Sequence, residues 1–327
     1  MGKVNRQTQL SSVTQAIRVL GDRWSILIIR DAFQGVRRFQ DFLERTGTSR
    51  ATLTNRLRSL VQNGIFRRTL YTNTPPRYEY RLSPKGRDLY GLSLIAWRWE
   101  RRWAPRGSGI PMELIHTPCN HSTQPVLACV HCGKTVTIRD AYLLPGSATG
   151  VRAPVARRYR RLSALTSASH RGTHRELTHI ADIVGDPWTP LVIAAAFFGL
   201  KRFDDIHREL GIATNVLADR LELLVRERIF TRRLYMRRPA RYEYHLTEKG
   251  NDLYGYALVS NAWGDRWLAS SAGPAYLIFH RDCAHELFPV VRCSHCEHEL
   301  VPGSVKPATK SRPARVSKAA TTRRSSG

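Results

Sequence analysis

Apolar positions in the first hundred residues recur at helical spacing in four short blocks. The first opens near Ala16, and residues 24–33 form a second, largely apolar block. A shorter block covers residues 39–45, and Gly47 breaks it. The fourth predicts a helix over about residues 49–62, with an apolar face made of Ala51, Leu53, Leu57, Leu60 and Val61. Two short helices joined by a Gly-containing turn predict a helix-turn-helix.

The segments that follow alternate between polar and apolar positions and predict a β-hairpin. They are residues 66–71 and 77–82, with a short proline-containing loop at residues 72–76. Ser83 and Pro84 then predict the N-cap and first position of another helix. Its apolar face contains Leu89, Leu92, Ile95, Trp99 and Trp103. A helix-turn-helix followed by a hairpin is typical of a winged helix.

The chain contains this pattern twice, at a constant offset. Gly21-Asp22-Arg23-Trp24 recurs as Gly185-Asp186-Pro187-Trp188, and Tyr78-Glu79-Tyr80 recurs as Tyr242-Glu243-Tyr244. In the second copy the turn is predicted at Gly211, the following helix over about residues 213–226 and the hairpin over 230–246. Matching aromatic residues, glycines and cysteines without any internal insertion indicate two homologous domains.

The duplication sets the predicted organisation, which is mainly α with small β-hairpins (α+β). Two winged helix-turn-helix domains, each followed by a small zinc-ribbon-like segment, account for most of the chain. The predicted parts are a flexible N-terminus (1–10), domain 1 (11–106), ribbon-like segment 1 (107–138), a basic linker (139–174), domain 2 (175–270), ribbon-like segment 2 (271–302) and a disordered basic tail (303–327).

Several motifs in this order resemble the HxlR-type family of bacterial winged-helix transcriptional regulators. They are Gly-Asp-Arg-Trp, Arg-Arg-Phe, the Asn-Arg-Leu and Asp-Arg-Leu helices, Pro-Pro-Arg-Tyr-Glu-Tyr and Ser/Thr-x-Lys-Gly, over residues 11–104 and 175–268. Members usually form homodimers that bind inverted-repeat operators, so the resemblance implies that two copies in one chain act as a covalent pseudo-dimer. Ser11 and Arg175 stand where many members carry a cysteine before the first helix. The resemblance therefore does not extend to a thiol switch at that position.

The polar face of each recognition helix and its wing are the predicted contacts to double-stranded DNA. Recognition helices read bases in the major groove, and wings hold phosphates or the minor groove. In copy one the predicted contacts are Ser49, Arg50, Thr52, Thr54, Asn55, Arg56, Arg58, Arg67, Arg68, Asn73 and Arg77. In copy two they are Thr214, Asn215, Arg220, Arg232, Arg233, Arg237, Arg238 and Arg241.

Charge is distributed unevenly along the chain, which carries a formal net charge of +26. Residues 1–133 contribute +13, the linker through residue 175 +8, residues 176–302 −2 and the tail +7. Asp219 and Glu222 replace Asn55 and Arg58 on the second recognition helix. We therefore expect copy one to dominate DNA binding, with linker and tail adding salt-sensitive, sequence-independent attraction.

Each copy ends in the pattern His-x2-Cys-x-His-x7-Cys-x-His-Cys, which resembles a small zinc ribbon with ligand pairs at x2 spacing. The predicted ligands of one structural zinc per copy, up to two per chain, are His116, Cys119, Cys129 and Cys132, and His280, Cys283, Cys293 and Cys296. His121 and His285 are the alternates for the fourth position. Sensing of metal or oxidants through these thiols is the competing use.

Two classes of function remain in competition, and a third finds no support. The chain is interpreted as a DNA-binding transcriptional regulator, or as a protein-interaction module in which copy two no longer binds DNA. No glycine-rich phosphate loop, nucleophile motif or paired carboxylates indicate an enzyme. No apolar run is long enough for a membrane span, which places the chain in the cytoplasm, at the nucleoid. Pairing with a second chain and the identity of any effector stay open.

Overall fold

The computed structural model describes residues 12–105, 110–111, 113–147, 176–268 and 273–308, and the account below concerns these ranges. The predicted N-terminal segment lies outside them, as do linker residues 148–175 and tail residues 309–327. Within the described ranges no single helix is long and apolar enough to cross a membrane. One pair of helices bent by 78°, Thr178–Val184 and Thr189–Phe197, passes that length and composition test together.

The first copy has the predicted winged-helix order. Its elements are α1 (Ser12–Leu20), α2 (Arg23–Phe33), α3 (Phe39–Thr46), α4 (Arg50–Gln62), β1 (Phe66–Asn73), β2 (Pro76–Leu82), α5 (Pro84–Arg87) and α6 (Tyr90–Trp103). Gly47 ends α3 in the left-handed conformation, with φ 66°, which a glycine adopts at little cost. Ser83 accepts a hydrogen bond from the backbone N–H of Gly86 and caps α5. The predicted fold class is confirmed.

The second copy repeats these elements in the same order. They are α7 (Thr178–Val184), α8 (Thr189–Phe197), α9 (Phe203–Leu210), α10 (Thr214–Arg226), β7 (Phe230–Arg237), β8 (Ala240–Leu246), α11 (Glu248–Asn251) and α12 (Tyr254–Leu268). Gly211 ends α9 at φ 61°, as Gly47 does in the first copy. In both hairpins the register shifts at the equivalent point, between Leu70 and Thr72 and between Leu234 and Met236.

Each recognition helix is held by the same apolar face. Leu53, Leu57 and Leu60 of α4 are at most 1% exposed, and Leu217, Leu221 and Leu224 of α10 are equally buried. Burying a leucine side chain contributes about 1.5–3 kcal/mol, so three per helix fix which face of each helix remains towards solvent.

The tryptophan-rich last helix of each copy packs on the other copy. The indole of Trp99 donates to the carbonyl of Lys249 at 3.1 Å, and that of Trp103 donates to Asp252 at 2.7 Å. The equivalent bonds run back from the second copy, from Trp263 to the carbonyl of Lys85 at 3.0 Å and from Trp267 to Asp88 at 2.7 Å. These four indoles therefore form hydrogen bonds between the two copies of this chain.

Helix α1 of copy one lies along α12 of copy two. The backbone N–H of Val13 donates to the side-chain oxygen of Asn261 at 3.2 Å, and Ser12 donates to Asp265. A Cβ atom on Gly264 would meet the carbonyl oxygen of Ser12 at 2.3 Å, so only glycine permits this close approach.

The segments after the two winged helices exchange strands between copies. Strand β3 (Leu114–His116) pairs antiparallel with both β4 (His121–Thr123) and β11 (Val305–Pro307). The equivalent β9 (Tyr276–His280) pairs with β6 (Ala141–Pro145), which follows the first ribbon segment. Strands β5 (Pro125–Cys129) and β10 (Pro289–Cys293) pair with each other. Each ribbon segment is completed by a strand from the other copy.

Two predicted boundaries are corrected by these strands. The tail was expected to begin at residue 303, but residues 305–307 form β11. The linker was expected to begin at residue 139, but Ile138–Asp140 form a 3-10 turn and Ala141–Pro145 form β6. The short run of consecutive apolar residues at Tyr142, Leu143 and Leu144 was the local signal for β6.

Candidate nucleic-acid interface and metal clusters

Helix α4 presents a basic and amide-bearing face. Arg50, Thr54, Asn55 and Arg58 are exposed, whereas Thr52 is half-buried. Ser49 accepts a hydrogen bond from the backbone N–H of Thr52 at 3.2 Å and so caps the helix. Within the described residues Arg58 makes no ion pair, and Arg50 contacts only the neutral side chains of Gln40, at 3.1 Å, and Phe39. Arginine and asparagine are the side chains that bind guanine and adenine bidentately.

The arginines at positions 56 and 220 are already engaged in ion pairs within the chain. The guanidinium of Arg56 lies 3.0 Å from the carboxylate of Asp22. In copy two Arg220 makes two bonds to Asp186, at 2.9 and 2.7 Å. These carboxylates also accept backbone N–H groups at the starts of α2 and α8, from Ser25 and Thr189. These two arginines therefore hold the recognition helix to the start of α2 in copy one and of α8 in copy two, and a contact of either with DNA stays a prediction.

Helix α10 exposes a face of different charge. Thr214, Asn215, Ala218, Asp219 and Glu222 are all exposed. The helix begins after Ala213, which has no side-chain oxygen to cap it. Where copy one offers two arginines and an asparagine, copy two offers one asparagine beside two carboxylates. The two carboxylates of this face would repel phosphates. The charge difference between the two copies that the sequence predicts therefore lies on the exposed face of this helix.

Both wings expose the residues predicted to contact DNA, nearly all of them arginines. Arg67, Arg68, Asn73 and Arg77 are exposed in copy one, and Arg232, Arg233, Arg237, Arg238 and Arg241 are exposed in copy two. Tyrosine rings support some of them: the guanidinium of Arg68 lies 3.5 Å from the centre of the Tyr78 ring, and that of Arg232 lies 4.9 Å from Tyr242. Arg241 also pairs with Asp204 at 3.3 Å, so a neighbouring carboxylate offsets its positive charge.

Two further basic residues beside the first wing were missed. Arg37 and Arg38 are exposed at the start of α3, and the carbonyl of Arg37 accepts the backbone N–H of Tyr80 in the wing at 2.8 Å. Their equivalents in copy two are Lys201 and Arg202, and the carboxylate of Glu243 lies 3.0 Å from Arg202. The Arg-Arg-Phe motif was the available signal, because it places two cations directly before the first helix of the helix-turn-helix.

The predicted metal ligands meet in two clusters, and each cluster takes residues from both copies. One contains His116, Cys119, Cys293 and Cys296, and the other contains Cys129, Cys132, His280 and Cys283; within each, the ligand atoms lie within 4.8 Å of one another. The prediction that each copy closes its own site is wrong. The pairs at x2 spacing stay together, but pairing of β5 with β10 brings the cysteine pair of one copy to the His-Cys pair of the other.

The distances within each cluster fit a tetrahedral ion. In the first, the Nδ1 atom of His116 lies 3.3 Å from the Sγ atoms of both Cys119 and Cys296, and the two sulfurs of Cys119 and Cys293 are 3.9 Å apart. Zinc–sulfur bonds of about 2.3 Å place two thiolates roughly 3.8 Å apart in a tetrahedron. One imidazole and three thiols are also a donor set that zinc prefers.

Each ligand pair lies in a tight turn that ends in a left-handed residue. Asn120, Ala284 and Glu297 have positive φ angles of 55°, 54° and 60°, and Gly133 completes the set at 73°. In every turn the backbone N–H of this residue donates to the carbonyl of the first ligand, as Asn120 does to His116 at 2.8 Å. Three of these four turns place a non-glycine residue in the left-handed conformation, which costs free energy, and all four hold a ligand pair in the same geometry.

The histidines at positions 116 and 280 are the fourth members of the clusters. Both are at most 1% exposed, with Nδ1 directed at the sulfurs. The alternates His121 and His285 are exposed, and their Nδ1 atoms bond to the carbonyls of Cys119 and Cys283. His121 stacks on His295 at 3.6 Å, so it lies beside the first cluster, near Cys119.

The environment of the clusters lowers the pKa of two cluster thiols, Cys132 and Cys293, and raises the pKa of two others, Cys283 and Cys296. The pKa of Cys293 is lowered to about 7, because hydrogen bonds from Thr123 and from the backbone of Cys296 and His295 outweigh the cost of burial. The pKa of Cys132 is also lowered, chiefly by a backbone hydrogen bond from Lys134. Thiolate is the form that binds metal.

Comparisons with known proteins agree with this architecture. The model of the HxlR-like helix-turn-helix family matches twice, at residues 19–108 and 183–272, together more than half of the chain. An uncharacterized HTH-type transcriptional regulator of Mycobacterium tuberculosis is 42% identical over 135 residues, which are 41% of this chain and 85% of the relative. One from Synechocystis is 35% identical over 97 residues, covering 29% of this chain and 72% of the relative.

A solved structure shows the same kind of similarity. The Pseudomonas aeruginosa transcription-factor structure PA1374 is 30% identical and covers 42% of this chain and 91% of its own, with a TM-score of 0.31. A score this low adds nothing on how the two copies are arranged. The two family matches cover both winged helices, and the relatives are named as transcriptional regulators. The chain belongs to the HxlR family of helix-turn-helix transcriptional regulators and carries its domain twice.

Proposed function

We propose that this chain is a sequence-specific double-stranded-DNA-binding regulator in which the two domains act as a covalent pseudo-dimer. The observation that carries the proposal is the exposed face of α4, where Arg50, Asn55 and Arg58 stand on a helix fixed by three buried leucines. The reciprocal tryptophan contacts between copies support the pseudo-dimer, because they hold the two winged helices to each other as a dimer interface would. Such a regulator acts in the cytoplasm, at the nucleoid.

Copy one is proposed to supply most of the affinity. Its recognition helix and wing carry exposed arginines with few acidic neighbours, whereas Asp219 and Glu222 face outward from α10. Copy two still has a basic wing, which suits phosphate contacts. The two half-sites should then differ in sequence and lie about 34–36 Å apart, one helical turn of DNA.

Footprinting of two single variants tests this division. Binding sites are first selected from a random duplex library with the full chain, and Arg50→Ala and Asn215→Ala are then compared on the selected duplex. We expect Arg50→Ala to remove protection over one half-site and to weaken binding about tenfold or more. Asn215→Ala should cost less and act on the other half-site. Lys134→Ala, in the ribbon, is the control.

The outcome that would contradict the proposal is also defined. Equal losses over two identical half-sites would refute the asymmetry. Failure of the library to yield any enriched sequence would refute sequence-specific binding, and would favour the second candidate function, in which copy two is a protein-docking module. The observation behind that candidate is the acidic face of α10, which suits a basic partner better than DNA.

We also propose that each of the two clusters holds one structural zinc ion. Four protein ligands would leave no open position for water, so the ion would fix structure and take no part in chemistry. His116, Cys119, Cys293 and Cys296 would bind one ion, and Cys129, Cys132, His280 and Cys283 the other. Because each ion would join both copies, zinc would lock the pseudo-dimer.

Zinc counting in paired variants separates crossed sites from sites within one copy. Native mass spectrometry of the reduced, full-length chain should show two zinc ions. The double variant Cys119→Ser/Cys296→Ser, with one change in each copy but both in one cluster, should keep one ion. The double variant Cys119→Ser/Cys129→Ser, with both changes in copy one, should lose both. The reverse result would overturn the crossed arrangement, and zinc-free wild-type protein would overturn the proposal.

A further inference from the structure

An apolar cavity lies where the two copies meet on the side of copy two. Its volume is about 290 Å³. Its walls come from Val13 of α1, Leu143 of β6, Phe197 of α8, Ala257 of α12 and Ile278 of β9. Five elements from both copies therefore surround one space, and they include the helix that precedes the helix-turn-helix of copy two.

Two residues that line the cavity are smaller than the residues at the equivalent positions in the other half of the molecule. Ala194 and Asn261 line it. The equivalent positions in the other half of the molecule hold Arg30 and Trp97, which are 3% and 6% exposed. Arg30 packs there in an ion pair with Asp31. At these two positions the cavity of copy two is therefore lined by smaller side chains than those at the equivalent positions in the other half.

A larger cavity, lined by more charged residues, adjoins the apolar one. Its volume is about 840 Å³, and Ile138 and Tyr254 line both cavities. The four arginines that line the larger cavity are Arg98, Arg101, Arg102 and Arg139. The two carboxylates that line it are Glu248 and Asp252.

The two carboxylates are already engaged by two of the arginines. Arg98 lies 3.7 Å from Asp252, and Arg102 pairs with both acids. Within the described residues Arg101 and Arg139 make no ion pair. Arg101 packs over the ring of Trp97 at 5.6 Å, and its Nε atom is buried without a hydrogen-bond partner. A buried donor without an acceptor costs free energy until something accepts from it.

We propose that the adjoining cavities bind a small amphipathic organic anion. Its one- or two-ring apolar body would lie in the apolar cavity, and its acidic group would point towards Arg101 and Arg139. Ligand sites are typically concave, apolar and of this size, with a few polar groups that set orientation. A charge-assisted bond to arginine supplies that orientation for a carboxylate or sulfonate.

A ligand here would contact both copies at once. It would touch α1 of copy one, α8 and α12 of copy two and the exchanged strand β6, and would therefore affect how the two recognition helices are placed. That regulatory role rests on the proposed function. Binding of the ligand does not depend on the proposed function, and it is measured in the absence of DNA.

A matched pair of fluorescent probes tests both halves of the site on the full-length chain. 1-Anilinonaphthalene-8-sulfonate carries the acidic group, and N-phenyl-1-naphthylamine has the same rings without it. We expect one equivalent of each to bind. Arg101→Ala/Arg139→Ala should weaken binding of the sulfonate about tenfold or more and leave the neutral probe unchanged, because each charge-assisted contact is worth about one factor of ten in the dissociation constant. Ala257→Trp should fill the apolar cavity and remove binding of both probes.

Controls keep the result interpretable. Arg266→Ala is the matched charge control, because Arg266 occupies the position equivalent to Arg102 and pairs with Asp88 in the opposite half. It should leave both probes unaffected. Unaltered binding of both probes to an Ala257→Trp chain that melts like the wild type would overturn the proposal. If that variant does not fold, unaltered binding of the sulfonate to Arg101→Ala/Arg139→Ala would overturn it. If the wild-type chain bound both probes as expected but showed no sequence-specific DNA binding, that result would count against the proposed function and not against the ligand site.

Discussion

The two recognition helices share a scaffold and differ in the surface they expose. Helices α4 and α10 both have thirteen residues, bury the same three leucine positions and are anchored by an arginine–aspartate pair. Their solvent faces differ, because Asn55 and Arg58 correspond to Asp219 and Glu222. The buried leucines and the arginine–aspartate pair that hold the helix are the same in both copies, whereas the exposed residues at these two positions differ. The divergence therefore concerns binding and leaves the fold unchanged.

Exchange of the two faces should give the largest effect. We expect Asn55→Asp/Arg58→Glu to weaken binding to the selected duplex about 100-fold, since each base or phosphate contact is worth about 1–3 kcal/mol. The opposite exchange, Asp219→Asn/Glu222→Arg, should strengthen binding about tenfold and make the salt dependence steeper. Fluorescence anisotropy at several salt concentrations measures both. Equal responses to the two exchanges would show that the copies contribute alike.

A buried acid makes one contact between the copies dependent on pH. Glu100 of α6 is fully buried and accepts the backbone N–H of Ile180, at the start of α7, at 3.1 Å. Burial raises its pKa to about 8 from an ordinary value of 4.5, although hydrogen bonds from Ile180 and His179 oppose the shift. The equivalent position in copy two is Gly264, which has no such group.

Because the folded chain holds this proton more tightly than the unfolded chain, Glu100 destabilises the protein as pH rises. Its contribution is most favourable below pH 4.5 and is lost progressively up to about pH 8. Glu100→Gln should flatten this profile and raise the free energy of unfolding at pH 8 by on the order of a few kcal/mol. Urea unfolding at pH 5 and pH 8 measures it, with the exposed Glu44→Gln as control. A wild-type-like profile in Glu100→Gln would contradict the assignment.

The two anchoring aspartates should differ in how much stability they contribute. Asp186 holds Arg220 through two bonds and is only 5% exposed, whereas Asp22 makes a single 3.0 Å contact with the more exposed Arg56. Removing one partner of a buried pair typically costs about 3–5 kcal/mol, and loss of a helix cap about 1 kcal/mol. We expect Asp186→Ala to cost about 3 kcal/mol and Asp22→Ala about 1–2 kcal/mol in urea unfolding. A larger cost at Asp22 would contradict this ranking.

The smallest expected effect is a difference in capping. Ser49 caps α4, but Ala213 leaves α10 without a side-chain cap. Ser49→Ala should lower the free energy of unfolding by about 1 kcal/mol, and Ala213→Ser should raise it by up to about 1 kcal/mol. Thermal melts of the two single variants and of the double exchange measure this. If Ala213→Ser gave no gain, the start of α10 would have another source of stability.

Local patterns were enough to predict the winged helices. Periodicity placed α4 to within one residue, because its buried leucines and the break at Gly47 are local features. The clustering of Cys119 with its near neighbour His116 was also readable, since turns at x2 spacing are local. Both predictions depend on interactions within a few residues of the chain.

What could not be read from the sequence depends on contacts between the copies. The ligand pairs have the same spacing whether a cluster forms within one copy or across two, and only the pairing of β5 with β10 decides between them. The role of Arg56 was missed for a similar reason, since nothing local shows that Asp22 lies beside it. An exposed arginine and an anchored one look the same in a list of helix residues.

The exchange of strands and ligand pairs has a consequence for assembly. Either half of the chain carries two incomplete clusters, so it cannot complete a four-ligand set alone. Three strands of each half also have a partner in the other half: β3, β5 and β6 pair with β11, β10 and β9. A second half would supply the missing ligand pairs and the missing strands. When residues 1–147 and 176–327 are expressed together as separate polypeptides, they should therefore form a stable heterodimer. A single-copy ancestor with this spacing would have needed a second subunit to complete its clusters. Duplication would then have placed both subunits within one chain.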